Sequence, residues 1–197
     1  MKTVSEVYDT YGQARAVVTD LNAAGVPDSK ISLVANKYVS EEYDEIDDYS
    51  DAAAGAGVGA AVGGVGGLLA GVGMIAIPGV GPVVAAGWLA ATLAGALAGA
   101  ATGGVVGALV DAGIPDGDAD VYSESIRRGG TLVTVQAEDG QAATVKVILD
   151  RHQPVDPATR RDEYTASGWK GYDPAAKPYD LSEAERERIR SPYSQHL

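Results

Sequence analysis

The chain has 197 residues, with 15 Lys and Arg against 27 Asp and Glu, a net charge of −12, no cysteine and 26 glycines. Without cysteine it holds neither a disulfide framework nor a thiolate metal site, and an acidic chain carries the wrong charge for a nucleic-acid partner. The charges divide the chain into four stretches: 1–50 with 4 basic and 10 acidic residues, 51–111 with none and 2, 112–150 with 3 and 7, and 151–197 with 8 and 8.

Met1 to Tyr8 alternates apolar and polar residues as a half-buried strand does, and has neither the basic n-region nor the apolar h-region of a secretion signal. Thr10 or Asp9 caps a helix running to about Ala24, with Ala14, Val17, Val18 and Leu21 on one face and Gly25 as its stop. Ile31 to Val34 follows as a second strand, completing a βαβ unit. The acidic run Glu41, Glu42, Asp44, Glu45, Asp47 and Asp48, interleaved with Tyr43, reads as a hydrated linker or mouth that keeps like surfaces apart. Its crowded carboxylates offer a weak divalent-cation site.

Ala52 to Val110 is 59 residues without one charge, 35 of them Gly or Ala. Pro78-Gly79-Val80-Gly81-Pro82 breaks any helix there, leaving two arms, each long enough as a helix to cross a hydrocarbon core of about 30 Å. Gly55, Gly59, Gly63, Gly67 and Gly71 recur every four residues in the first arm, and Gly87, Ala91, Gly95, Gly99, Gly103 and Gly107 in the second. On a helix this spacing gives a stripe bare of side chains, the small-xxx-small mode of close helix association. The ten glycines are therefore the expected oligomer interface. Fifteen helix-interior glycines cost roughly 12–15 kcal/mol against alanine, comparable to a whole domain's stability. A lone solvated hairpin of this kind does not persist, so packing within an oligomer, a bilayer, or both must compensate. No Lys or Arg flanks the block as a topological anchor, which favours several hairpins packed together over one bathed in lipid.

Beyond the block, Asp118 to Arg128 reads as a short helix capped by Asp118, Thr131 to Gln136 as a strand, Ala142 to His152 as a helix, and Pro154 to Asp156 as a short closing strand. Each half is too small to hold a core alone. Together they predict an α+β, ferredoxin-like sandwich of two βαβ halves with the Gly/Ala-rich helical hairpin inserted between them. The expected units are 1–50, 51–111, 112–157 and a tail, 158–197. In the tail, Trp169, Tyr172 and Tyr179 lie among prolines and are the expected docking points of a strap on its own or a neighbouring subunit, and Ser182 with Glu185 forms a capping box.

Val7-Tyr8, Gln13-Ala14-Arg15-Ala16-Val17-Val18, Leu21, Ala24-Gly25-Val26-Pro27 and Ile31-Ser32-Leu33-Val34 resemble the bacterial general-stress-protein domain of the 17M type. Gly113-Ile114-Pro115, Ala119, Tyr122 and Ile126-Arg127-Arg128-Gly129-Gly130-Thr131-Leu132-Val133-Thr134-Val135 resemble its second half. The resemblance covers about residues 3–157. It implies a stress-linked protein, cytoplasmic or at the cytoplasmic face of the inner membrane, with no established enzymatic activity and no catalytic residues to carry over.

The chain contains no phosphate-loop, dinucleotide-binding or nucleophile-elbow pattern, and its two histidines, His152 and His196, read as solvated. Asp116-Gly117-Asp118-Ala119-Asp120 lacks the glycine and the bidentate Glu of a calcium loop. The expectation is a non-enzymatic protein without cofactor that assembles with itself through glycine-zipper hairpins and associates with membrane lipid. A channel with an acidic vestibule and a soluble cage or filament with buried hairpins are the alternatives.

Overall fold

The computed structural model describes residues 1–36, 73–78, 80–98, 104–177 and 179–190. The fold is α+β. Its strands are β1 (Lys2–Tyr8), β2 (Ile31–Asn36), β3 (Gly73–Ile77), β4 (Gly81–Ala86) and β5 (Thr131–Ala137). They form one antiparallel sheet in the order β1-β5-β2-β4-β3. The helices are α1 (Tyr11–Ala23), α2 (Trp88–Ala98), α3 (Gly104–Asp111), α4 (Asp116–Arg127), α5 (Ala142–Arg151), α6 (Pro157–Ala166) and α7 (Glu183–Arg190).

The connection β1-α1-β2 leaves a gap that β5 fills, pairing Val4 with Val135 on one side and Leu33 with Val133 on the other. Thr10 caps α1 in a reciprocal box with Gln13, satisfying two backbone donors at once. The helix buries Ala14, Val17, Val18 and Leu21, and Gly25 ends it at φ +84°. Together with Val145, Ile148 and Leu149 of α5, this face covers Tyr8, Ile31, Leu33, Val133 and Val135. In place of a fourth strand beside β1, the 154–156 segment donates one backbone bond, from Val155 N to Val7 O at 2.8 Å.

The charge-free block departs from two helical arms. Residues 52–72 lie outside the described residues, but 73–77 and 81–86 are strands joined by a tight turn in which Val80 N reaches Ile77 O at 3.1 Å. The unpaired edge of β2 offers a ladder of backbone groups, and β4 takes it, aligning Leu33 with Ala86 and Asn36 with Val83. The proline-glycine cluster that stops a helix here turns a hairpin instead. The described part of the second arm beyond β4 folds back. Leu89 and Leu93 of α2, with Val105, Ala108 and Leu109 of α3, pack with Val7, Val34, Val83, Ala85 and Leu132 on the second sheet face. Ala119, Tyr122 and Ile126 of α4 complete this layer. Thus part of the insertion supplies a third layer, and strands β1, β2, β4 and β5 are covered on both faces.

This layer also covers polar strand residues. Thr3 Oγ1 donates to Ala112 O (2.8 Å), Ser5 Oγ to Thr134 Oγ1 (3.2 Å) and Tyr122 Oη to Ser5 O (3.3 Å), while Ser32 Oγ accepts from Leu89 N (2.9 Å). The N-cap of α4 is Pro115, without a side-chain bond, so Asp118 sits inside the first turn rather than at the cap. There it faces the positive end of the helix dipole.

Candidate functional site

At one end of the sheet, Asn36, the turn before β4 and the last turn of α4 lie under the C-terminal segment. Asp156 caps α6, accepting from Thr159 N at 2.8 Å. Arg160 then forms a bidentate pair with Asp9 (2.8 and 3.0 Å), with only 16 % of its side chain exposed. Arg161 reaches Asp120 at 2.7 Å and the Gly117 carbonyl. Two planar forks thus fix α6 to the start of α1 and to α4.

From Tyr164 onward, aromatic rings and arginines alternate. Tyr164 is buried and donates to Ser125 Oγ (3.1 Å), under the Arg128 guanidinium 4.4 Å from its centroid and edge-on to Trp169 at 5.8 Å. Tyr172 Oη donates to Pro78 O at 2.6 Å. Tyr179 lies beneath Arg127 and Arg128 (5.2 and 5.1 Å) and donates to Glu185 at 2.8 Å. Leu181 enters the α1–α5 core, and Ser182 and Glu185 bond reciprocally to open α7. The tail therefore lies against its own subunit, touching one sheet-face cluster through Tyr172 and the other through Leu181.

Between the last turn of α4 and residues 167–173 is a groove of about 360 Å³, walled by Glu124, Arg127, Arg128, Trp169, Lys170 and Tyr172 among others. Glu124 is buried and receives Arg128 Nε at 2.6 Å, with Arg127 Nε farther off at 3.5 Å. Arg127 Nε and Nη1 and Trp169 Nε1 are enclosed without a hydrogen-bond partner. A smaller hollow of about 180 Å³ adjoins it, lined by Asp9, Arg128, Arg160, Tyr164 and Glu185.

A second polar cluster sits on the α5 side of β1. Glu6 is 8 % exposed and pairs with Lys146 at 3.0 Å, which also holds Asp150. Burial raises the Glu6 carboxyl above the usual carboxylate range, and Lys146 offsets only part of this. Burial pulls the Lys146 ammonium down, but its bonds to Asp150 and Glu6 prevail and hold it above an ordinary lysine. Nothing in this cluster sets a nucleophile beside a base. His152 is not the solvated group expected, because its Nε2 lies 2.9 Å from Asp20 Oδ2 with 20 % of its side chain exposed. His196 lies outside the described residues.

Of the expected interface glycines, Gly55, Gly59, Gly63, Gly67, Gly71, Gly99 and Gly103 lie outside the described residues, as does the acidic run 41–48 with its cation reading. Gly87, Gly95 and Gly107 do not share one helix. Gly87 ends β4 at φ +85°, where the chain must turn into α2; Gly95 is on α2 and Gly107 on α3. Gly104, at φ +57°, opens α3. One small-residue face survives: Ala91, Ala94 and Gly95 of α2 are exposed, opposite buried Leu89 and Leu93, and nothing lies within 4 Å of a Cβ placed on Gly95. Sequence reasoning singled out Trp169, Tyr172 and Tyr179 but missed Arg127, Arg128, Arg160 and Arg161. The arginines among the tail aromatics hinted at Arg160 and Arg161, while Arg127 and Arg128 stood out only within the resemblance motif. Among the described residues, no cluster of three acidic or imidazole side chains is placed to hold a metal ion, and no helix is long and apolar enough to cross a membrane. Compared with known proteins, the chain matches no family model, no curated sequence and no solved structure.

Proposed function

We propose that this protein is a non-enzymatic association module whose work is self-assembly through small-residue helix faces. The observation that carries the reading is the exposed Ala91, Ala94 and Gly95 face of α2, free of charge on a chain of net charge −12. Its i, i+3, i+4 spacing puts three near-bare positions side by side, so a second copy's backbone can approach closely. The core on this reading is a ferredoxin-like sandwich, favoured by β5 lying between β1 and β2 and by Val155 bonding β1 where a fourth strand belongs. The stress link comes from the resemblance to the general-stress-protein domain.

A packed assembly is favoured over a bilayer-spanning hairpin, because Gly104 at φ +57° interrupts the second arm and, among the described residues, no helix is long and apolar enough to cross a membrane. Sedimentation velocity on the full chain tests the proposal: it expects an oligomer that Gly95→Leu dissociates without changing the circular dichroism. A monomeric wild type, or an oligomer indifferent to Gly95→Leu, overturns it. Flotation with lipid vesicles tests the membrane association separately.

A further inference from the structure

From the orphaned donors of the groove beneath the C-terminal strap, we infer that it binds a small organic phosphate, a phosphomonoester held by Arg127, Arg128, Lys170 and the Trp169 indole. This inference is independent of self-assembly. Two enclosed side-chain donors on residues of the groove wall have neither a hydrogen bond nor an ion pair, Arg127 Nη1 and Trp169 Nε1, while Arg127 Nε has only Glu124 at 3.5 Å. Buried donors are nearly always paired, so these two call for an acceptor from outside the chain, water or a ligand. A neutral acceptor leaves the charge unmatched. Arg127, Arg128 and Lys170 face Glu124 and Asp173 on the groove wall, a local excess of one positive charge in a strongly acidic protein.

Geometry narrows the ligand further. Glu124 is committed chiefly to Arg128, whose Nη2 also donates to Ser167 Oγ at 3.3 Å. Arg127 therefore keeps donor capacity, although the Tyr179 ring 5.2 Å from its Cζ takes up part of it. A phosphate offers several acceptor oxygens and matches the planar guanidinium fork. A volume of about 360 Å³ exceeds what inorganic phosphate needs and suits a small organic group besides, for which Trp169 and Tyr172 provide ring surfaces. Trp169 and Lys170 ride on a turn flanked by Gly168 (φ +94°) and Gly171 (φ +121°), and at neither glycine does any atom lie within 4 Å of where a Cβ would stand.

Isothermal titration of the full chain with inorganic phosphate and with ribose 5-phosphate tests this. Both are expected to bind, ribose 5-phosphate about tenfold more tightly, since each factor of ten reflects about 1.4 kcal/mol of added contact. Trp169→Phe keeps the ring against Tyr164 but removes the N–H, and is expected to weaken binding about tenfold. Lys170→Glu, at an exposed position, is expected to do the same with an unchanged circular dichroism spectrum. Absence of heat with both phosphates at millimolar concentration, or affinities that neither variant alters, overturns the inference. Vesicles containing phosphatidic acid separate a headgroup from a free ligand: co-sedimentation that Lys170→Glu abolishes, without any response to ribose 5-phosphate, also overturns it.

Discussion

Replacing Gly87 by alanine gives opposite results for the two ways of folding the charge-free block. In a continuous helical arm, alanine at an interior glycine adds about 0.8–1 kcal/mol of stability. In the structure, Gly87 has φ +85°, and a Cβ there runs into the Ile31 carbonyl oxygen and lies 2.6 Å from Ser32 Oγ and 2.9 Å from Ser32 Cα. The left-handed backbone alone costs an L-residue about 1–2 kcal/mol. Relieving the overlap means moving β2, a central strand, or turning away Ser32 Oγ, which accepts from Leu89 N; that bond is worth about 1 kcal/mol. The sum is a loss of about 3 kcal/mol, or a fall in melting temperature of roughly 6–12 °C for a chain of this size. Urea titration followed by circular dichroism measures it, with Gly95→Ala as the control expected to gain about 0.5–1 kcal/mol at an open helical position. A Gly87→Ala protein as stable as wild type, or more so, refutes the fold-back of residues 87–98 onto the sheet.

Other perturbations probe the remaining supports. Thr10→Ala removes the α1 capping box and is expected to cost about 1 kcal/mol in the same titration. Arg160→Met removes both bonds to Asp9 from a site where the guanidinium is 16 % exposed, and should cost about 2–3 kcal/mol and speed proteolytic cleavage in 167–190. Glu6 binds its proton more tightly folded than unfolded, so its contribution to stability is most favourable in acid and is lost as pH rises from the ordinary carboxylate value through its raised folded value. The stability of wild type relative to Glu6→Gln is therefore expected to decline across that interval, as followed by urea titration at a series of pH values. A difference independent of pH contradicts the assignment.

Where local chemistry decides the structure, the sequence reads directly. Thr10, read with Asp9 as a candidate cap, announces a helix start because its side chain satisfies a nearby backbone donor, and the spacing of Ala14, Val17, Val18 and Leu21 matches the face that α1 buries. The block from 73 to 111 was illegible for the opposite reason. Glycine every four residues fits a bare helix stripe, yet strands and two short helices result, because the open edge of β2 and the second sheet face that they cover are built by residues distant in the sequence. Likewise Thr3, Ser5 and Ser32 look solvent-facing by alternation, and a layer from far along the chain buries Ser32 and half-covers Thr3 and Ser5. The groove escaped prediction because Arg127 and Trp169 are brought together only by the strap, across 42 positions of sequence.

The absence of cysteine makes the central claim directly measurable through one introduced thiol. Ala94→Cys places it on the exposed face of α2. Helices packed through small residues bring facing Cα atoms within the roughly 7 Å that a disulfide spans. Mild oxidation of the full-length variant is predicted to yield a covalent dimer rapidly, and Gly95→Leu in the same chain to suppress it. A thiol that reacts freely with a small alkylating reagent yet forms no dimer on oxidation contradicts assembly through this face.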